Sequence, residues 1–110
     1  MNLSLAISIL GPTLVNRGVT VEYRVIISAS RNSRVVVCIE ILGDNALTFQ
    51  TSGDPRKRIC ANKLIIPPST TITFNPTIIG NAPAFLRIEF SASNNLNELA
   101  EPRTKRVRVL

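Results

Sequence analysis

Val19-Thr20-Val21-Glu22-Tyr23-Arg24-Val25-Ile26-Ile27-Ser28 is the stretch that decides the fold class. Val19, Val21, Tyr23, Val25 and Ile27 share one parity. Thr20, Glu22, Arg24, Ile26 and Ser28 share the other. Side chains return to the same face every second residue only in a strand, so this segment has an apolar inside and a largely polar outside. Upstream, Asn16-Arg17-Gly18 supplies a turn. Before it, Leu3, Leu5, Ile7 and Ile9 alternate with Ser4, Ala6 and Ser8 until Gly11-Pro12 ends the run.

Downstream the same rule repeats. Arg31-Asn32-Ser33 is a short polar connection. It is followed by Val35, Val37, Ile39 and Ile41 on one face, with Arg34, Val36, Cys38 and Glu40 on the other, up to Gly43-Asp44-Asn45. A connection this short makes either a hairpin or a crossing from one sheet to another. Leu47 and Phe49 mark a brief strand over Ala46–Gln50, and Thr51–Arg58 reads as an exposed loop. Lys63–Ile66 is a short apolar piece stopped by Pro67-Pro68, which cannot lie in a central strand because neither residue donates to the ladder. Ser69–Asn75 alternates again through Ile72 and Phe74, and Asn75–Pro83 reads as a loop. Ala84–Ala92 sets Leu86, Ile88, Phe90 and Ala92 against Phe85, Arg87, Glu89 and Ser91. Asn94–Glu101 is polar, with room for a helical turn. Arg103–Leu110 sets Val107 and Val109 against Arg106 and Arg108. The spacing predicts an all-β, two-sheet sandwich of about seven to eight antiparallel strands. The length predicts one domain over residues 1–110.

Composition supports that reading and narrows the chemistry. Hydrophobic residues make up 45% and aromatics 5%, so the core is aliphatic. No apolar run approaches the roughly 20 residues of a membrane-spanning helix. Met1–Leu10 lacks a basic start and a small-residue cleavage site, so it reads as a first strand rather than a signal peptide. There is no histidine. A Ser-His-Asp or Cys-His catalytic set is therefore impossible within the chain. Two cysteines without histidine do not fill the four positions of a structural zinc site. The five glycines are isolated in turns, with no phosphate-binding loop. The carboxylates are scattered, Asp44 and Asp54 lack the spacing of a calcium loop, and no cofactor or metal is expected. Cys38 and Cys60 are either two free thiols or one disulfide, and a disulfide would indicate an oxidising compartment or a hyperthermophile's cytosol. Asn2-Leu3-Ser4 is a formal glycosylation triplet that matters only in a secreted protein.

The charge is uneven, with 13 Lys+Arg against 7 Asp+Glu and a net +6. Two basic groups stand out: Arg56, Lys57 and Arg58 in the central loop, and Arg103, Lys105, Arg106 and Arg108 near the C-terminus. Each reads as solvated surface or as a contact site for a polyanion or an acidic partner. Arg106 and Arg108 share a face of their strand. Phe85 alone among the aromatics points outward, whereas small nucleic-acid-binding β folds interleave several aromatics with their charges.

Several segments together carry a family resemblance that covers most of the chain. Asn16-Arg17-Gly18 leads into Val19–Ala29. The polar bend Ser30–Arg34 leads into a strand ending Ile41-Leu42-Gly43-Asp44. Leu64-Ile65-Ile66-Pro67-Pro68-Ser69-Thr70-Thr71-Ile72-Thr73-Phe74 resembles the apolar, Pro-Gly-Ser/Thr, alternating Thr segment of immunoglobulin-like accessory domains. Ala84–Ala92 and Thr104–Leu110 resemble their last two strands. These domains, among them the cell-adhesion-related and NEW3-like modules, are common in archaeal and bacterial envelope proteins. The chain has Pro68 where they usually have glycine, and it is more basic than many of them. The resemblance implies a non-enzymatic binding or spacer module with a protein partner. An exposed edge strand is the natural docking site, by strand addition, unless Arg106 and Arg108 on the last strand protect that edge instead. A basic β-domain for nucleic acid and a structural subunit of an assembly are the alternatives. Both a cytoplasmic and an envelope-associated setting fit. Abundant Ile, Val and Arg resemble a thermophile's composition.

Overall fold

The computed structural model describes residues 5–43, 46–94 and 98–110. Leu3, the Asn2-Leu3-Ser4 triplet, Asp44, Asn45 and the centre of the anticipated helical turn lie outside the described residues. Ten strands follow in order: β1 (Leu5–Leu10), β2 (Leu14–Val15), β3 (Tyr23–Ala29), β4 (Ser33–Leu42), β5 (Thr48–Phe49), β6 (Arg58–Ile65), β7 (Ser69–Phe74), β8 (Ile78–Ile79), β9 (Ala84–Asn94) and β10 (Arg103–Val109). Three of them are only two residues long, so seven substantial strands carry the structure, as the alternation predicts. Among the described residues there is no helix, and none is therefore long and apolar enough to cross a membrane.

The strands form a three-stranded sheet, β1-β3-β7, and a five-stranded sheet, β2-β10-β9-β4-β6, with a small β5-β8 pair beside them. The link Ser30–Asn32 takes the chain from the first sheet to the second. The connection between β3 and β4 is thus a crossing and not a hairpin. Both strands bury one whole parity: Tyr23, Val25 and Ile27 on β3, and Val35, Val37, Ile39 and Ile41 on β4. Lying side by side, they would bury that parity on one sheet with nothing facing it. Opposed, each covers the other, and each fully buried Val, Ile or Phe contributes about 1.5–3 kcal/mol. Leu86, Ile88, Phe90, Ala92, Val107 and Val109 complete the core from the five-stranded side, and Ile72 and Phe74 from the other.

Several segments differ from the sequence reading. The β3 strand begins at Tyr23, four residues late, and Val19 is 52% exposed because Thr20 makes only an isolated bridge to Thr77. Lys63 to Ile65 of the apolar piece end a longer strand, β6, paired with β4 from Ser33↔Ile65 to Glu40↔Arg58. It lacks a clean apolar face because it is an edge strand with only Ile65 fully buried. The loop Asn75–Pro83 contains β8, whose Ile78 is buried. There Gly80 has φ +127°, and a Cβ would overlap the Ala46 carbonyl oxygen. Further on, Leu99 bridges Ser93, and the Ala100 amide donates to the Ala92 carbonyl at 3.0 Å.

Tyr23 joins the sheets. Its ring lies 5.6 Å from that of Phe90 across the core, tilted by 57°. Its hydroxyl donates to the Pro12 carbonyl at 2.8 Å, in the link that carries the chain from β1 to β2. Gly11 lies against the ring, where a Cβ would overlap it. Burial pushes the phenol up to about 12. The folded state keeps the proton between about pH 10, the ordinary phenol value, and pH 12, while the unfolded state releases it. The stabilisation is therefore complete below pH 10 and is lost as pH rises through the folded value. Denaturant titrations at successive alkaline pH values are expected to show that fall. Tyr23→Phe removes this component of the pH dependence and lowers stability at neutral pH by about 1–2 kcal/mol. Tyr23 is the single tyrosine, so phenolate absorbance reads its ionisation directly.

Candidate functional site

On the outer face of the five-stranded sheet, side chains stand in rows set by the strand register. Along the first row, Leu14 on β2, Arg108 on β10 and Phe85 on β9 are neighbours. The next holds Arg106, Arg87 and Leu42 on β10, β9 and β4. Thr104, Glu89, Glu40 and Arg58 follow. After them come Ser91, Cys38 and Cys60.

The first two rows make a basic platform around an aromatic ring. Phe85 is 60% exposed, as its sequence parity requires. The guanidinium of Arg106 lies 5.0 Å from the ring centroid, and that of Arg108 lies 5.6 Å from it. Cations over an aromatic face are attracted by the ring quadrupole, and the guanidinium keeps its edge donors free. Arg106 directly opposes Arg87, a like-charge pair that disfavours the sheet locally. Among the described residues, Arg87, Arg106 and Arg108 make no ion pair; the ion pairs are Arg24–Glu22 at 3.1 Å and Arg58–Glu40 at 3.8 Å. Two guanidinium groups thus stand over the ring, with Arg87 beside Arg106 in the register and none of the three in an ion pair among those residues, an arrangement suited to receiving an anion.

The remaining basic residues from the sequence reading are dispersed. Arg103 and Lys105 have the opposite parity to Arg106 and Arg108. They line the seam with β1, where Arg103 Nε donates to the Ile7 carbonyl at 3.3 Å. Arg56, Lys57 and Arg58 do not form one patch. The Arg56 backbone pairs with Phe49, Lys57 Nζ donates to the Gly43 carbonyl at 3.1 Å, and Arg58 starts β6 beside Glu40. Arg108 does not border a free edge, whereas the pairing with β2 does not extend to Arg106. Both project from the sheet face, and at Arg108 the β10 strand lies between β2 and β9. The opposition of Arg87 to Arg106 depends on strand register, which no local pattern specifies.

Cys38 and Cys60 are opposed across β4 and β6 with Cα atoms 4.1 Å apart, and a disulfide joins them. Of the two alternatives the sequence allowed, the structure contains the bridge. Cys38 is on the outward parity, yet only 3% exposed; with Ala100 and Pro102 of the segment that follows β9 it lines a partly open cavity of about 480 Å³. Among the described residues no three His, Cys, Asp or Glu side chains gather closely enough to hold a metal ion.

Solved structures that resemble this chain include the CARDB domain of a Pyrococcus furiosus protein in complex with di-metal ions. It is 21% identical with a TM-score of 0.60, over 97% of this chain and 93% of that one. The PKD domain of an M14-like peptidase from a Thermoplasmatales archaeon is 19% identical with a TM-score of 0.61, over 94% and 92%. The fold is immunoglobulin-like. A β-glucosidase from Listeria innocua, in complex with glucose, contains the same fold at 13% identity and a TM-score of 0.59; the match covers 98% of this chain and 16% of the glucosidase. No protein-family model matches the sequence, and a comparison with curated proteins found no match. The anticipated sandwich and the resemblance to immunoglobulin-like modules are both borne out.

The opposed arginines give a direct test of the platform. Arg106→Glu places a carboxylate across from Arg87 and is expected to raise the unfolding free energy by about 0.5 kcal/mol at low salt, an effect that shrinks as salt is added. Phe85→Ala is expected to change stability by less than about 0.5 kcal/mol, because the ring is mostly in solvent. Chemical denaturation of the three proteins checks both.

Proposed function

We propose that this chain is a non-enzymatic immunoglobulin-like domain of a larger protein, docking onto an acidic protein surface through Phe85, Arg87, Arg106 and Arg108. The observation that carries this reading is the pair of guanidinium groups, Arg106 and Arg108, held over the exposed Phe85 ring and engaged in no ion pair among the described residues. Aromatic and arginine side chains are the types that dominate binding energy at protein interfaces. A planar guanidinium held over a ring offers its edge to a carboxylate in bidentate fashion with little further loss of freedom.

Two further points support the module reading. The similar structures include separately named CARDB and PKD domains, and in the glucosidase the same fold makes up a minor part of a longer chain. The chain also has no histidine, which leaves the commonest general base unavailable. An acidic protein is favoured over nucleic acid because the platform has one exposed ring, where single-stranded nucleic acid binders stack successive bases on several.

Binding to immobilised polyglutamate and to a single-stranded oligonucleotide tests the proposal. The expected result is polyglutamate binding that weakens about tenfold or more between low and physiological salt. Phe85→Ala and Arg106→Glu are each expected to weaken it at least about fivefold. Preference for the oligonucleotide would transfer the platform to nucleic acid, and equal binding by wild type and Arg106→Glu would remove it as the site.

A further inference from the structure

The two ends of the disulfide have different surroundings. Cys60 is on edge strand β6 and exposed, at the rim of a surface depression lined by Thr51, Ser52, Gly53, Arg56 and Arg58. Cys38 is one strand further in, 3% exposed, with Ser91 as its neighbour on β9 and Ala100 and Pro102 lining the same cavity. Arg58 Nη2 donates to Cys38 Sγ at 3.4 Å. The same guanidinium is 3.8 Å from Glu40 through Nη1.

Thiol–disulfide exchange is a displacement: a thiolate bonds to one sulfur and the other departs with the electron pair. The choice of sulfur depends on access and on the stability of the departing thiolate. Here both favour the same direction. The line of approach to Cys60 Sγ, opposite Cys38, comes from beyond the edge strand, where the depression opens to solvent. The line of approach to Cys38 Sγ comes from β9, on the side of Ala100 and Pro102. The sulfur that receives the Arg58 N–H is Cys38, and a guanidinium beside a sulfur favours its thiolate. Arg56 and Arg58, at the rim of the depression, attract an incoming anion.

We propose that Cys60 is the entry point for reversible exchange with an external thiol, and that Arg58 stabilises Cys38 as the departing thiolate. The incoming thiolate sulfur bonds to Cys60 Sγ, the Cys38–Cys60 bond breaks, and its electron pair goes to Cys38 Sγ. One disulfide is consumed and one is formed, so no separate oxidant or reductant enters. Return attack by the Cys38 thiolate on Cys60 Sγ expels the external thiolate and restores the bridge. The register from Ser33↔Ile65 to Glu40↔Arg58 holds β6 beside β4 while the bridge is open. Of the basic run Arg56-Lys57-Arg58, Arg56 and Arg58 thus acquire a role at the bridge.

The experiment treats the folded, oxidised protein with reduced glutathione, quenches with N-ethylmaleimide, and maps the modified peptides by mass spectrometry. Glutathione is expected on Cys60 and the maleimide on Cys38, in excess of the reverse pattern by about ten to one. Arg58→Gln is expected to slow exchange about five- to tenfold, and Glu40→Gln, which releases Arg58 from its carboxylate, to speed it. Equal or reversed labelling overturns the proposal, as does exchange that proceeds only after the protein is unfolded. An unchanged rate in Arg58→Gln removes Arg58 from the step. Glu40→Gln tests the same contact independently should Arg58→Gln fold poorly.

Discussion

Tyr23 occupies the place where the two sheets depend on each other. Its ring packs on Phe90 from the opposite sheet, and its hydroxyl holds the Pro12 carbonyl in the link between β1 and β2. The side chain is fully buried, so its one polar group needs an internal partner. The fold supplies that partner at the point where the chain leaves one sheet for the other. Gly11 leaves room for the ring, since any Cβ there would overlap it. Closure of the sandwich, the path of the chain into β2 and the ionisation of the phenol are therefore consequences of one contact.

Closing the sandwich inward also dictates what stands outward. With alternate residues of β4, β9 and β10 committed to the core, the intervening residues form rows across the outer face of the five-stranded sheet. One end of that face carries Phe85 among three arginines. The other carries the Cys38–Cys60 bridge, where Cys38 lines a partly open cavity with Ala100 and Pro102. Glu40, Glu89 and Arg58 lie between them. A sheet face with this composition gains nothing in stability from Arg106 opposite Arg87. Placing the two together is a local cost that a bound carboxylate would offset.

Much of the strand pattern was legible because periodic burial leaves a direct trace in the sequence. β4, β7, β9 and β10 were readable from their alternation, and Tyr23, Val25 and Ile27 are fully buried as their parity requires. β6 was largely missed because an edge strand has little core to face, so Arg58-Ile59-Cys60-Ala61-Asn62-Lys63 alternates only weakly. β5 and β8 are short and form a two-stranded pair beside the main sheets. β8 was invisible, since two residues are too few for a period. The site was half legible. The outward direction of Phe85, Arg106 and Arg108 follows from parity, but the grouping of Arg87 with them does not.

By itself the sequence determined which side of each long strand faces the core, because a period of two is a local property of the backbone. It also determined that histidine chemistry is absent. Tertiary structure alone decided which strands are neighbours. A crossing and a hairpin between β3 and β4 place the same residues on the same parities and differ only in what covers them. That choice of neighbours set Arg106 against Arg87, joined Cys38 to Cys60 and left Cys60 on an open edge. Each of these pairings spans a sequence separation over which no local pattern carries information.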